Sequence, residues 1–174
     1  TFTKELRTSV AARTADLGAA LAEARKLSAV VENGFEGVVI TNDARGDGHF
    51  ILYVNPAWER VTGWKKEEVI GKLSPRVLKS GAQGREFYER MWKTVTAGGT
   101  FLAEIVNKRK DNTLYDAEIF LFPLTLPTGE KLFVEISRDI TERKKAENER
   151  ERLNKALVGR ELRIANIFTQ FGVD

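Results

Sequence analysis

The chain contains no cysteine, and its 174 residues include one histidine, His49, and four prolines. The absence of cysteine excludes disulfides, thiolate metal ligands and thiol nucleophiles. A single histidine cannot supply the ligand clusters of zinc sites, so we expect no metal site. We also find no glycine-rich phosphate loop and no nucleophile beside a base partner. These absences favour a chain that is not itself an enzyme.

An excess of one charge sign is also missing. The 28 Lys and Arg residues nearly balance the 25 Asp and Glu residues, and the two signs are interspersed. This balance argues against a nucleic-acid-binding face. No apolar run approaches the roughly 20 residues that span a bilayer, so we expect a cytoplasmic segment without direct membrane contact. Because the chain begins without methionine, we interpret it as a fragment whose parent could still carry a membrane segment.

Long helices are predicted at both ends of the chain. Residues 1–31 contain no proline and carry a heptad pattern typical of a coiled-coil signalling helix, with a dimer seam favoured over a single helix lying on its own domain. Residues 142–174 repeat the pattern with arginines on the seam, which favours a helical linker with a dimer contact over a solvated single helix. The N-terminal seam comprises Leu6, Val10, Arg13, Leu17, Ala20, Ala24, Leu27 and Val31.

Residues 32–141 predict an α+β domain with a five-stranded antiparallel sheet. Asn55 and Pro56 are suited to begin a helix that Gly63 ends, and an aromatic stripe predicts a longer helix over 84–97. A turn over Asn42 to Gly48 would join the first two strands. The predicted strands are Gly37 to Thr41, Phe50 to Val54, Phe101 to Lys108, Thr113 to Leu124 and Lys131 to Asp139.

Four segments carry a resemblance to a known family. They are Asn55 to Trp64, Glu67 to Lys72, Asn107 to Asp111 and Arg138 to Lys144. In this order and spacing the chain resembles a PAS sensor domain of bacterial histidine kinases, with flanking coiled-coil signalling helices. The resemblance implies a five-stranded antiparallel sheet with helices on one face. It also implies a sensory and dimerisation module of a two-component signal-transduction protein, upstream of an output domain.

The same resemblance assigns a role to the junction between the last strand and the last helix. In such proteins Asp139, Ile140 and Thr141 join that strand to the output helix. The Asp139 carboxylate and Thr141 hydroxyl can hold the junction, so movement of the strand would become rotation or tilt of the helix. A histidine kinase also needs a phosphoacceptor histidine on a helix and ATP-binding boxes. Since His49 precedes a strand, any kinase activity would belong to the parent protein.

The resemblance leaves the cofactor open. Asn107 falls on a flavin-contacting asparagine of the photosensor subclass, but that subclass's second asparagine falls at Ala117 and its last-strand glutamine at Ser137. Its reactive cysteine is absent, so a cysteinyl photoadduct is excluded. Residues 107–118 also resemble redox sensors that hold FAD noncovalently, although Phe101 stands where those sensors tend to have tryptophan. Haem would need a histidine within 84–97. We therefore rank an unidentified small ligand or none first, FAD second and haem last.

Strand alternation predicts which side chains face a ligand pocket. If Asn107 faces inward, so does Phe101, and if Ser137 faces inward, so does Glu135. These four residues form the candidate pocket. Our hypothesis is that Asn107 and Glu135 provide polar specificity, because a carboxyl group in a pocket must be paired, hydrogen-bonded or neutralised. The alternative is that Glu135 lies near the open edge and is merely hydrated.

The opposite sheet face is predicted to be almost entirely apolar, which is unusual for a face in contact with water. We expect it to be covered by the N-terminal helix, its own or its partner's, around Leu17 and Leu27, together with a second sheet in a homodimer. The alternative function is a structural dimerisation spacer, since large inward side chains such as Phe133 and Trp92 could fill the core. The apolar face comprises Leu102, Val106, Phe120, Phe122, Leu132, Val134 and Ile136.

Overall fold

Two long helices flank a central α+β domain in the computed structural model, which describes residues 2–43 and 48–170. The predicted turn between the first two strands therefore lies mostly outside the described residues, as does the predicted C-terminal end, residues 171–174. The elements are α1 (Phe2–Glu32), β1 (Gly37–Asn42), β2 (Ile51–Val54), α2 (Pro56–Thr62), α3 (Lys66–Val69), a 3₁₀ turn (Pro75–Leu78), α4 (Arg85–Thr96), β3 (Phe101–Lys108), β4 (Leu114–Thr125), β5 (Lys131–Asp139) and α5 (Thr141–Gln170).

The five strands form one antiparallel sheet in the order β2-β1-β5-β4-β3. The last strand of the sequence is therefore the central strand, paired with β1 on one side and β4 on the other. Since α5 begins two residues after β5 ends, the centre of the sheet is connected directly to the last helix. The predicted α+β fold class, with five antiparallel strands and helices, is confirmed.

Asn55 fixes the start of α2 and ties three elements together. Its side-chain oxygen accepts hydrogen bonds from the backbone N–H of Trp58 at 3.0 Å and of Val38 at 2.9 Å. Its amide nitrogen donates to the carbonyls of Val31 and Glu36, each at 2.9 Å. This fully buried side chain caps α2 and also anchors the end of α1 against β1.

The core lies between the sheet and its helices and consists of two clusters. One packs Met91 and Val95 of α4 against inward residues of β3, β4 and β5, including Ile119. The other packs Trp58 of α2 against Val39 and its neighbours in β1 and β2. Large apolar side chains at helical spacing in α4 thus belong to the core, as the sequence pattern indicated.

The outer sheet face is only partly buried. Leu132 and Val134 are covered within the sheet, whereas Leu102 is 66% exposed and Phe120 is 41% exposed. Residues 4–31 of α1 are exposed, so this helix does not lie on its own domain. Residues 145–158 of α5 are exposed as well. Among the described residues, no helix combines the length and apolarity required to cross a membrane.

Candidate ligand cavity and output junction

A cavity of about 100 Å³ lies between the inner face of the sheet and the helical layer. Aromatic and aliphatic side chains of α4 and the strands form most of its wall. Polar and charged side chains from β3, β5 and the segments before α4 complete the wall. The lining residues are His49, Ser74, Pro75, Arg76, Leu78, Lys79, Phe87, Tyr88, Met91, Trp92, Ile105, Asn107, Ile119 and Glu135.

Two of the four predicted pocket residues line this cavity and two do not. Asn107, 5% exposed, and Glu135 are both in the wall. Phe101 is buried in the neighbouring core, where its ring meets Phe87 edge-on at 5.4 Å between centroids. Ser137 faces the same side of the sheet but lies outside the cavity wall, and its hydroxyl donates to the carbonyl of Gly37 at 3.4 Å. Strand alternation thus gives the sheet face of these residues, but it does not give the length of strand that the cavity covers.

Glu135 is the carboxyl group of the cavity wall. It lies on the central strand β5, opposite Val39 of β1 and Leu121 of β4. Burial raises its pKa to about 7, and no hydrogen-bond donor among the described residues offsets that effect. Near neutral pH the cavity therefore contains a carboxyl group that is close to half protonated and has no partner in the described part of the chain.

His49 is a cavity residue that sequence reasoning missed. It was placed correctly in a loop before a strand, yet it is only 5% exposed. Its Nε2 lies 2.9 Å from the Thr41 hydroxyl, and its ring meets Trp92 edge-on at 5.3 Å between centroids. Burial and the nearby Arg76 guanidinium lower its pKa, which favours the neutral imidazole. No local sequence signal marks this position, because its burial depends on α4.

A larger, open cleft of about 730 Å³ adjoins the cavity and shares several of its wall residues. Its basic side chains are Arg76, Lys79, Arg85 and Lys93, and its acidic side chain is Glu89, which pairs with Arg85. The Nζ of Lys79 lies 3.7 Å from the centroid of the Tyr88 ring. The entrance to the cavity is therefore positively charged and suited to anionic groups.

The junction between β5 and α5 is held by side-chain and backbone hydrogen bonds. Asp139 Oδ1 accepts from the Thr141 backbone N–H at 2.9 Å and from the Thr141 hydroxyl at 2.6 Å. The Thr141 hydroxyl in turn accepts from the N–H of Asp116 at 3.0 Å, and the Ile140 N–H donates to the Asp116 carbonyl at 2.9 Å. Ile140 itself is buried. All three predicted junction residues therefore contact β4 or each other.

The charge on Asp139 is stabilised locally. Burial opposes its ionisation, but hydrogen bonds from Thr141 and Arg109 outweigh that effect and hold the pKa of this carboxyl below its usual range. Arg109 Nη2 lies 2.7 Å from Asp139 Oδ2. Asp139 therefore caps α5 while remaining paired with a residue that follows β3.

Ion pairs attach the first turn of α5 to the edge of the sheet. Lys144 Nζ lies 2.9 Å from Glu104 and 3.1 Å from Asp116. Arg143 Nη2 lies 2.8 Å from Glu104 and 3.9 Å from Glu118. Each such partly exposed pair contributes at most about 1 kcal/mol, but together they fix the direction in which α5 leaves the sheet.

Known proteins with similar sequences are regulators and photoreceptors. The nitrogen fixation regulatory protein of Klebsiella oxytoca is 33% identical over 113 residues, which are 64% of this chain and 22% of that protein. The blue-light photoreceptor of Listeria monocytogenes is 29% identical over 105 residues, which are 60% of this chain and 41% of that protein. The chain thus spans less than half the length of these relatives.

The fold has solved counterparts as well. The blue-light activated histidine kinase of Erythrobacter litoralis superposes with a TM-score of 0.56 at 22% identity, over 72% of this chain and 42% of that one. A family model described as PAS domain matches residues 36–142, which include the whole sheet and the cavity wall. The chain therefore belongs to the PAS domain family, and its central unit is a PAS sensor domain.

Proposed function

We propose that this PAS domain is the input and dimerisation module of a longer cytoplasmic signalling protein, and that a small ligand in the cavity alters the position of α5. One observation carries the proposal: Asn107 and Glu135 face a cavity in which the Glu135 carboxyl has no hydrogen-bond or ion-pair partner among residues 2–43 and 48–170. A partly buried carboxyl group without a partner is destabilising, and a ligand that donates a hydrogen bond to it would remove that cost.

The cavity limits the size and chemistry of the ligand. An engineered cavity of about 150 Å³ binds benzene, so about 100 Å³ accommodates only a few heavy atoms unless side chains of α4 move. The apolar wall favours a flat or aliphatic body, and Glu135 favours a hydrogen-bond donor such as an N–H group. The basic cleft would hold any anionic extension that protrudes from the cavity.

Mass spectrometry of the supernatant released from heat-denatured protein tests this proposal. We expect wild type to release one small molecule in an amount comparable to that of the protein, and Glu135→Leu to release much less. Ser137→Ala is the matched control, because Ser137 lies on the same strand and face but outside the cavity wall. Equal release from wild type and Glu135→Leu would contradict the proposed role of Glu135. A wild type that releases nothing and is stabilised by no compound in a metabolite panel would favour the structural spacer.

A flavin sensor without a cysteinyl adduct is the second candidate. The basic residues of the cleft are suited to the phosphates of a nucleotide cofactor, and a relative at 29% identity is a blue-light photoreceptor. The cavity itself does not fit the ring system, because cofactor sites usually exceed about 300 Å³. A flavin would therefore require Phe87, Met91 or Trp92 to move. Flavin bands in the visible absorption spectrum, with FAD recovered after heating, would establish this candidate, and a colourless protein would refute it.

The exposed faces of α1 and α5 support the proposed dimerisation and the proposed role of α5 in output. The exposed apolar residues of α1 and α5 recur at coiled-coil spacing, and their own domain does not cover them. A homodimer through α1 and the outer sheet face would bury them and would bring two copies of α5 together. We assign the parent to the histidine kinases or a related signalling class on the resemblance described above.

A further inference from the structure

Tyr115 lies between the cavity and the α5 junction. It is directly opposite Asn107 in the β3–β4 pairing, so both side chains lie on the inner face of the sheet. Tyr115 is only 3% exposed. Burial raises the pKa of its hydroxyl to about 12, while the adjacent Asn107 side chain acts in the opposite direction. Tyr115 is thus the cross-strand neighbour of a residue of the cavity wall.

The ring of Tyr115 also supports Arg109. The guanidinium carbon of Arg109 lies 4.3 Å from the ring centroid, within cation–π distance. The same guanidinium group donates to the Val61 carbonyl in α2 and pairs with Asp139 at the start of α5. Arg109 therefore has contacts on three sides, and the Tyr115 ring sets its position relative to Asp139.

The backbone adjacent to Tyr115 makes a second connection to the junction. Asp116, the next residue, donates its N–H to the Thr141 hydroxyl and accepts from the Ile140 N–H. A shift of β4 at Tyr115 would thus reach α5 by two routes, through Arg109 and through the Asp116 backbone. The β3–β4 pairing, the Arg109–Asp139 ion pair and the Asp116 backbone therefore connect Asn107 to Thr141.

We propose that Tyr115 is the positioning residue that couples the cavity to the output helix. The Asn107 side chain orients the Tyr115 hydroxyl, the Tyr115 ring positions Arg109, and Arg109 holds Asp139 in place as the cap of α5. This inference rests on the proposed sensory function and specifies how the ligand site would regulate α5. A Tyr115 that only filled the core would contribute to stability without linking Asn107 to α5.

A double-mutant cycle read by hydrogen exchange separates the two roles. The four proteins are wild type, Asn107→Ser, Tyr115→Phe and the double variant. Tyr115→Phe removes the hydroxyl through which Asn107 is proposed to act but keeps the ring beside Arg109. The readout is the exchange of the Ile140 and Lys144 backbone amides, whose hydrogen bonds hold the junction and the first turn of α5. The control is the Asn55 amide, which donates to the Val38 carbonyl at the far side of the sheet.

We expect Asn107→Ser to accelerate exchange at Ile140 and Lys144 by about fivefold, the lower end of typical coupling between sites. In the Tyr115→Phe background the same substitution should have almost no further effect, and exchange at Asn55 should remain unchanged. Equal acceleration in both backgrounds would overturn the proposal. So would no acceleration in the wild-type background, or acceleration of the same size at Asn55, since either result would indicate a purely structural role.

Arg109→Lys provides a second variant if Asn107→Ser fails to fold. Lysine keeps the charge but loses the planar fork that faces both the ring and Asp139, so exchange at Lys144 should rise. Arg85→Lys on the exposed surface of α4 should leave exchange at Lys144 unchanged. Equal effects of Arg109→Lys and Arg85→Lys would overturn the proposal. All of these measurements use protein without added ligand. Failure to find a ligand would therefore count against the proposed function while leaving the coupling result intact.

Discussion

At the scale of single residues, Glu135 has the most unusual position in the domain. A carboxyl group on the central strand of a sheet normally faces solvent or pairs with a cation, and this one faces a cavity. Its ionised form is disfavoured because no donor replaces the lost water. The folded state therefore holds the Glu135 proton more tightly than the unfolded chain does, and stability depends on pH.

The sign of that dependence follows from the raised pKa. Between the unfolded value of 4.5 and the folded value of about 7, the native state binds more protons at this site, so stability falls as pH rises and the loss is complete above about 7. Glu135→Gln should remove the loss and be more stable than wild type by up to about 3 kcal/mol at about pH 8. Near about pH 4.5 the two proteins should differ little.

Urea unfolding across this pH range measures the effect. Glu130→Gln is a suitable control, because Glu130 is exposed in the turn between β4 and β5. A pH profile of Glu135→Gln that runs parallel to that of wild type would show that Glu135 is hydrated in solution, which was the alternative from the sequence.

Sequence reasoning located Asn107 and Glu135 because strand parity fixes the face to which a side chain points. It did not locate His49 or Tyr115 as site residues. His49 becomes buried only when α4 packs over a loop, and Tyr115 meets Asn107 and Arg109 only when β3 and β4 pair. Such proximity depends on tertiary packing, and the local pattern of apolar residues carries no signal for it.

At the scale of elements, the junction determines how α5 is attached. Asp139 accepts two hydrogen bonds from Thr141 and pairs with Arg109, so it acts as the cap of α5 and as an anchor to β3. Asp139→Ala should lower the free energy of unfolding by about 1–2 kcal/mol, the usual cost of losing a helix cap. Asp139→Asn keeps an acceptor for Thr141 and should cost less.

Chemical denaturation of the two Asp139 variants checks this ranking, with Glu142→Ala on the exposed face of the first turn as control. Equal losses for Asp139→Ala and Asp139→Asn would mean that the charge on Arg109, and not the cap, dominates at this position.

Replacing glycine by alanine should change stability in opposite directions at Gly159 and Gly63. Gly159 lies inside α5 with open space around its α-carbon, so Gly159→Ala should stabilise this helix by about 1 kcal/mol. Gly63 ends α2 with φ of 77°, a left-handed conformation that costs other residues about 1–2 kcal/mol. Gly63→Ala should therefore destabilise the domain even though no close contact prevents it. Far-ultraviolet circular dichroism during thermal unfolding would compare the two, and a stabilised Gly63→Ala would contradict the assigned conformation.

Helix and strand bounds were predictable because their ends carry local chemistry. Asn55, Pro56 and Gly63 define α2 with contacts within a few residues, and the observed α2 runs from Pro56 to Thr62. The placement of α1 was not predictable in this way. Its apolar residues are compatible with packing on the sheet or on a second helix, and only the folded domain shows that its own sheet leaves them exposed.

At the scale of the whole molecule, a monomer would leave many large apolar side chains in contact with water. Phe120 and Leu102 lie side by side on β4 and β3, and α1 adds Leu17 at 71% and Leu27 at 60% exposure. Exposed apolar side chains on paired strands and along a helix are what an interaction site would require. Because Val134 is already buried within one copy of the chain, it would contribute to an interface only indirectly.

On the outer sheet face, Phe120 and Leu102 are exposed whereas Val134 is buried, and substitutions at these positions should therefore have different effects. If the outer face is a homodimer interface, Phe120→Glu combined with Leu102→Glu should place charges in the contact and convert a dimer to a monomer, while thermal stability of the domain changes little. Val134→Glu should instead unfold the domain, since it introduces a charge that is buried within each copy. Ile70→Glu is the control, because Ile70 is a partly exposed apolar residue on the helical side.

Light scattering coupled to size exclusion gives the mass of each protein. An unchanged dimeric mass for the double variant would place the contact on α1 alone, where Leu17→Glu should then dissociate it, and a monomeric wild type would refute the homodimer.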